Sequence, residues 1–95
     1  MAQIRVEVTF LGALQNLAPN QVIEIDEPAT VAMLVQKLGV VNSEFNKTLI
    51  DPELKNLLPN ALTLVNNQEI GLLQGLKTNL QNGDIVTIIQ VAHGG

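Results

Sequence analysis

The stretch Asn82-Gly83-Asp84-Ile85-Val86-Thr87-Ile88-Ile89-Gln90-Val91-Ala92-His93-Gly94-Gly95 decides how the chain is read. Asn-Gly-Asp is turn chemistry, because Gly takes a positive φ at no steric cost and Asn and Asp bond their own backbone. Ile85 to Ile89, rich in β-branched side chains, then reads as a strand. That strand runs almost directly into Gly94-Gly95 at the carboxyl end. Two successive glycines, without Cβ atoms, make a thin and permissive tail that fits a narrow groove in another protein. The expected reactive group is therefore the terminal carboxylate of Gly95, carried on a flexible tail over residues 90–95.

Working outward, the remaining sequence offers no catalytic constellation. It has 95 residues, no Cys, Trp or Tyr, and a single His. Thiolate zinc sites, iron–sulfur clusters and disulfides are excluded, and the lone His93 makes no histidine metal cluster, so no metal site is expected. A hydrophobic fraction of 46% with only 15% charged residues is too apolar for disorder and ample for one core. The whole chain, 1–95, reads as a single domain. Net charge is −4, and Arg5, Lys37, Lys47, Lys55 and Lys77 are scattered, which argues against displacing phosphate counterions from nucleic acid. Phe10 and Phe45 are too few to stack bases. Charges interrupt the amino terminus at once, and no apolar run approaches bilayer-spanning length, so a cytoplasmic protein without membrane partners is the expectation.

Along the chain, Ile4, Val6, Val8 and Phe10 alternate with Arg5, Glu7 and Thr9, the period of a half-buried strand. Residues 11–20 read as a connection with one helical turn, and Gln21 to Ile25 as a second strand ending in solvated acids and Pro28. Thr30 is an N-cap candidate. Val31, Leu34, Val35 and Leu38 then share one helical face, with Gly39 placed as a C-cap. Residues 42–59 carry a looser helical pattern, with Phe45 and Leu49 able to share a face. Asp51-Pro52 there predicts a short helical turn through Leu54, Leu57 and Leu58. Ala61 to Val65 reads as a strand, Asn66-Asn67 as a turn, Gln68 to Ile70 as a short edge strand, and Gly71 to Leu80 as an irregular crossing. Strand, strand, helix, strand, short strand, strand makes an α+β sheet with a helix across one face.

That order, ended by a strand running into Gly-Gly, resembles the ubiquitin-like β-grasp fold. The residues Val65-Asn66-Asn67, Ile70, Gly75-Leu76, Thr78, Leu80, Gly83-Asp84, Val86 and Ile88, with Gly94-Gly95, are similar to the ubiquitin-like sulfur-carrier family. This family includes the molybdopterin synthase small subunit, the thiamine-pathway carrier and the carrier for cysteine synthesis. The ubiquitin-related modifier of tRNA thiolation, whose ending is similar to His93-Gly94-Gly95, is a cousin. A terminal Gly-Gly alone arises by chance in roughly one chain in two hundred, so the order of the whole set carries the likeness. The fold implied is a mixed sheet with one main helix packed across it.

The resemblance implies chemistry at the tail. A terminal carboxylate is ionised at neutral pH and a poor electrophile. In the family an E1-like adenylating enzyme spends ATP to make an acyl-adenylate, and a sulfur donor displaces AMP to leave a thiocarboxylate. Gly95 would hold that sulfur and Gly94 would extend the leash, with a sulfur-acceptor enzyme or synthase large subunit receiving it. The chain itself would be a carrier, not an enzyme, with no bound cofactor. His93 is read as a polar tail contact in preference to an acid–base group, and Val91 and Ala92 as lining the partner groove. With Val86 and Ile88 facing the core, Ile85, Thr87 and Ile89 lie on the opposite face and make a candidate partner-docking patch. Gly75 and Gly83 are read as turn glycines, and Glu44, Asp51, Glu53 and Glu69 as surface or capping groups. Two other readings stay open: a ubiquitin-like modifier forming isopeptide bonds, and a β-grasp interaction module that docks without activation. A proline and a small residue usually precede the family's glycines, and Gln90 and His93 occupy that region here. The pathway therefore stays open, with molybdopterin slightly ahead of cysteine synthesis and tRNA thiolation. The length over 42–60 argues against the short thiamine type.

Overall fold

The computed structural model describes residues 2–12, 20–41, 50–51, 56–57 and 61–90. The chain forms β1 (Gln3–Gly12), β2 (Gln21–Asp26), β3 (Ala29–Thr30) and the helix α1 (Val31–Val41). It continues with β4 (Ile50–Asp51), β5 (Asn56–Leu57), β6 (Ala61–Val65) and β7 (Gln68–Glu69). Two 3-10 turns, Ile70–Leu72 and Gly75–Lys77, lead to β8 (Asn79–Leu80) and β9 (Ile85–Gln90). Five strands form one mixed sheet in the order β2-β1-β9-β6-β7, with β1 and β9 parallel and the other pairs antiparallel.

Period-two alternation sends Ile4, Val6, Val8 and Phe10 of β1 to one face, joined there by Ile23 and Ile25 of β2 and by Val86 and Ile88 of β9. The helix stripe of Val31, Leu34, Val35 and Leu38 closes over that face, making one contiguous core. Each such aliphatic side chain contributes about 1.5–3 kcal/mol of transfer free energy. The helix begins as expected: the Thr30 hydroxyl oxygen accepts the Met33 N–H at 3.3 Å, the N-cap bond. It does not end at Gly39, which lies inside a helix continuing to Val41.

Three other expectations change. Leu11 and Gly12 belong to β1, not to a connection, because both pair with β9. Asn56–Leu57 is not helical but pairs antiparallel with Ile50–Asp51 as a small hairpin. The helical pattern of the apolar spacing there lost to cross-strand pairing. Gln90 is the last residue of β9, opposite Gly12, so the tail leaves the sheet after it. The expected helical turn after Gly12, the pattern over 42–49 and the tail 91–95 lie outside the described residues.

Gly12 is required where it stands. Its φ is +68°, and a Cβ there would meet the Gln90 carbonyl oxygen at 2.7 Å. Gly12→Ala is expected to cost at least about 1 kcal/mol from the left-handed backbone alone, before any strand displacement. A urea titration checks this, and an unchanged midpoint would contradict it.

Candidate functional site

The residues that carried the sequence resemblance build the support of β9. Asn66 and Asn67, at φ 51° and 70°, form the two-residue turn between β6 and β7. Asn66 then reaches across to β9. Its side-chain oxygen accepts the Ile85 N–H at 3.0 Å, its side-chain amide donates to Asp84 Oδ1 at 3.0 Å, and its own N–H donates to the Ile85 carbonyl at 2.8 Å. Asp84 Oδ2 accepts the Gln81 N–H at 2.8 Å, closing the turn around Gly83, whose φ is +90°. On the other side the Gly83 N–H donates to the Arg5 carbonyl at 2.8 Å, and the Arg5 N–H donates to Asn82 Oδ1 at 2.9 Å. Thr78 donates its hydroxyl to the Gly75 carbonyl at 2.7 Å and accepts the Gln74 N–H at 3.1 Å, holding the crossing that delivers Leu80 to the core. Glu69 is a cap, as expected, accepting the Gly71 N–H at 2.6 Å. The start of the last strand is thus tied to both neighbouring strands.

The sheet face opposite α1 is the candidate docking surface. Val86 and Ile88 are fully buried, while Ile85 is 44% exposed and Thr87 and Ile89 are half-buried on the other face, as the alternation predicts. Strand register adds residues that the sequence did not single out. Leu11, Ile89 and Leu62 form one cross-strand row, Thr9, Thr87 and Leu64 a second, and Val22, Glu7 and Ile85 a third. Leu11, Val22 and Leu62 are all more than a third exposed. The row of Leu11, Ile89 and Leu62 is uncharged and lies at the end of the face where β9 runs toward Gln90. Glu7, Arg5 and Glu24 lie at the other end. Only the register brings Leu11 and Leu62 to Ile89; a single-strand pattern cannot show it.

Gly95, Gly94, His93, Ala92 and Val91 lie outside the described residues. Among the described residues no three carboxylate or imidazole side chains come together in a metal-holding group, and no helix is long and apolar enough to cross a membrane. A groove of about 630 Å³ is lined by Ala2, Glu27, Pro28, Ala29, Asn79, Leu80, Gln81 and Asn82. None of these residues belongs to the rows around β9. The features that converge are a rigidly held central strand, an apolar face beside it, and a tail sequence ending in Gly94-Gly95.

A mixed sheet crossed by one helix, with its last strand at the centre, defines the ubiquitin-like β-grasp class. Residues 8–95 match the model of the ThiS family, and the chain belongs to that family. The family groups small ubiquitin-like carriers and modifiers, and one fold neighbour, CysO of Amycolatopsis orientalis, 21% identical, was solved in complex with BexX. A ubiquitin-related modifier 1 homolog of Caenorhabditis elegans is 25% identical over 100 residues, covering all of both chains. The solution structure of Urm1 from Trypanosoma brucei is similar with a TM-score of 0.75 and 29% identity, covering 100% of each chain. That of the small archaeal modifier protein 1 from Methanosarcina acetivorans superposes with a TM-score of 0.83 at 19% identity, again over 100% of each, a likeness of fold.

Proposed function

We propose that the chain is a sulfur carrier whose reactive group is the carboxylate of Gly95. A carboxylate oxygen attacks the α-phosphorus of ATP in an E1-like partner, pyrophosphate leaves, and an acyl-adenylate forms. A hydrosulfide-level sulfur from the donor then attacks the carbonyl carbon and AMP leaves, giving the thiocarboxylate. ATP and the sulfur donor belong to the partner enzymes, and the chain contributes the leash and the docking face. Molybdopterin assembly is placed first among acceptor pathways, with cysteine synthesis and tRNA thiolation next.

The single observation behind this reading is the placement of β9. The strand that leads to Gly94-Gly95 is the middle strand of the sheet, and the apolar row of Leu11, Ile89 and Leu62 flanks its end. A partner seated on that row meets the tail at a fixed point of departure, so less orientational freedom remains to be lost when the carboxylate enters its active site. A second reading, a protein modifier that joins Gly95 to lysines, draws support from the likeness to the ubiquitin-related and small archaeal modifiers. Both share the adenylation step and differ in the acceptor.

The test is the intact mass of the chain after incubation with a cognate activating enzyme, ATP and a sulfur donor. Exchange of one oxygen for sulfur, mapped to Gly95, is the expected result. An unchanged mass with a proven active enzyme overturns the carrier reading, and adducts on target lysines under the same conditions favour the modifier.

A further inference from the structure

The outer edge of β2 is independent of the tail chemistry. Among the described residues, β2 pairs within the main sheet only with β1. The Glu27 N–H donates to the Ala2 carbonyl at 3.0 Å, in line with the pairing of Ile25 with Ile4 and Ile23 with Val6. In an antiparallel ladder such bonding residues alternate with residues whose N–H and C=O point the other way. Val22, Glu24 and Asp26 therefore turn their backbone groups outward. The Lys37 ammonium of α1 donates to the Glu24 carbonyl, covering one of these acceptors. Unpaired edges recruit other strands unless they are blocked, and a lysine is a usual blocking device.

Beside this edge a groove of about 370 Å³ separates β2 from α1, lined by Ile25, Asp26, Met33, Gln36, Lys37 and Val40. Val40 is 85% exposed and Met33 39%, apolar surface that the core does not explain. On the other side of the same edge, the alternation places Glu24 and Asp26 on the open sheet face, with exposed Glu27 next in sequence. A strand laid along β2 thus has two different sides to satisfy, an apolar trough and an acidic margin. A second copy of this chain fits poorly. In the symmetric antiparallel register centred on Glu24, the two Glu24 carboxylates stand directly opposite, and like charges there repel.

We propose that the edge of β2, with its groove against α1, is a strand-addition site for an extended segment of another protein. That segment alternates apolar residues, which enter the groove by Met33 and Val40, with basic residues over Glu24 and Asp26. It displaces the Lys37 ammonium from the Glu24 carbonyl and pairs with the backbone of Val22, Glu24 and Asp26. The site leaves the row of Leu11, Ile89 and Leu62 open, so it serves a partner other than the one seated at the tail.

The test is an NMR titration of the isotopically labelled full chain with three end-blocked hexapeptides: alternating valine–lysine, alternating valine–glutamate and alternating serine–lysine. With valine–lysine, amide shifts are expected at Val22, Glu24 and Asp26 and on the Met33 and Val40 turns of α1. Both controls are expected to bind at least about tenfold more weakly, one for charge and one for lost apolar burial. Lys37→Met, which keeps the stem and frees the carbonyl, should tighten binding several-fold, and Glu24→Lys should weaken it. Both positions are exposed, and retained dispersion of the core resonances checks the fold. Absence of shifts at the β2 amides, shifts confined to Ile85, Thr87 and Leu62, equal binding of either control, or self-association of the chain through β2 would each overturn the proposal.

Discussion

Adding a single alanine after Gly95 is expected to abolish thiocarboxylate formation, lowering its rate by about 100-fold or more. One residue moves the carboxylate by about 3.5 Å, and a displacement of even about 1 Å from a reactive geometry costs on this scale. The thermal midpoint should stay unchanged, because the added residue alters none of the pairs that hold Ile85–Gln90 between β1 and β6. Binding to the partner through the sheet face should survive as well. Intact-mass analysis for sulfur and a pull-down for docking separate the two outcomes. An extended chain that still acquires sulfur at its former end would remove Gly95 from the mechanism.

The second large effect divides two neighbouring residues of one strand. Ile88→Ala is expected to destabilise the fold by about 2–5 kcal/mol, since it empties space that the core cannot refill. Ile88 is fully buried in the central strand, between Phe10 of β1 and Thr63 of β6. Against a total stability of about 5–15 kcal/mol, that loss is severe. Ile89→Asp, one position along, should change stability far less, because its side chain lies on the open face. It should instead weaken partner binding by at least about tenfold by placing a charge in the uncharged row with Leu11 and Leu62. Urea titration and a binding isotherm on both variants check the pattern. If Ile89→Asp left partner affinity intact, the apolar row would not be the docking surface.

Much of this arrangement was legible because long elements announce their period. β1 and α1 repeat at two and at 3.6 residues over enough turns to leave no competing pattern, and Thr30 marks the start of the helix by its own chemistry. Two-residue strands carry no period, so the pairing of Ala29–Thr30 with Asn79–Leu80 is not visible beforehand. The spacing of Leu54, Leu57 and Leu58 imitates a helical face, yet Leu57 pairs with Ile50. Thr63 is buried while Leu62 is 42% exposed, the reverse of what side-chain polarity alone suggests. That inversion follows from register: Thr63 lies opposite Ile88, and Leu62 opposite Ile89. The candidate face was therefore half legible. Ile85, Thr87 and Ile89 follow from one strand's alternation, whereas Val22, Leu11 and Leu62 need three strands side by side. The bonds of Asn66 to Asp84 and Ile85 had a signal in the Asn-Asn turn, but nothing in the sequence pointed that side chain at β9.

The parallel pairing of β1 with β9 also governs when this molecule becomes a molecule. Glu7 meets Ile85, so nearly the whole chain must be made before its central seam can close. Such long-range pairing is slow to form, because loop-closure entropy is spent before any contact rewards it. A nascent chain lacking residues 85–90 has two half-sheets with no strand between them, and its core under α1 lacks Val86 and Ile88. Synthesis that stalls early, or a protease that cuts before Ile85, therefore leaves a fragment fit for degradation rather than a folded decoy occupying the partner's surface without a tail to offer. The architecture acts as its own quality control: a chain that reaches the folded state has already made the strand on which its last residues depend.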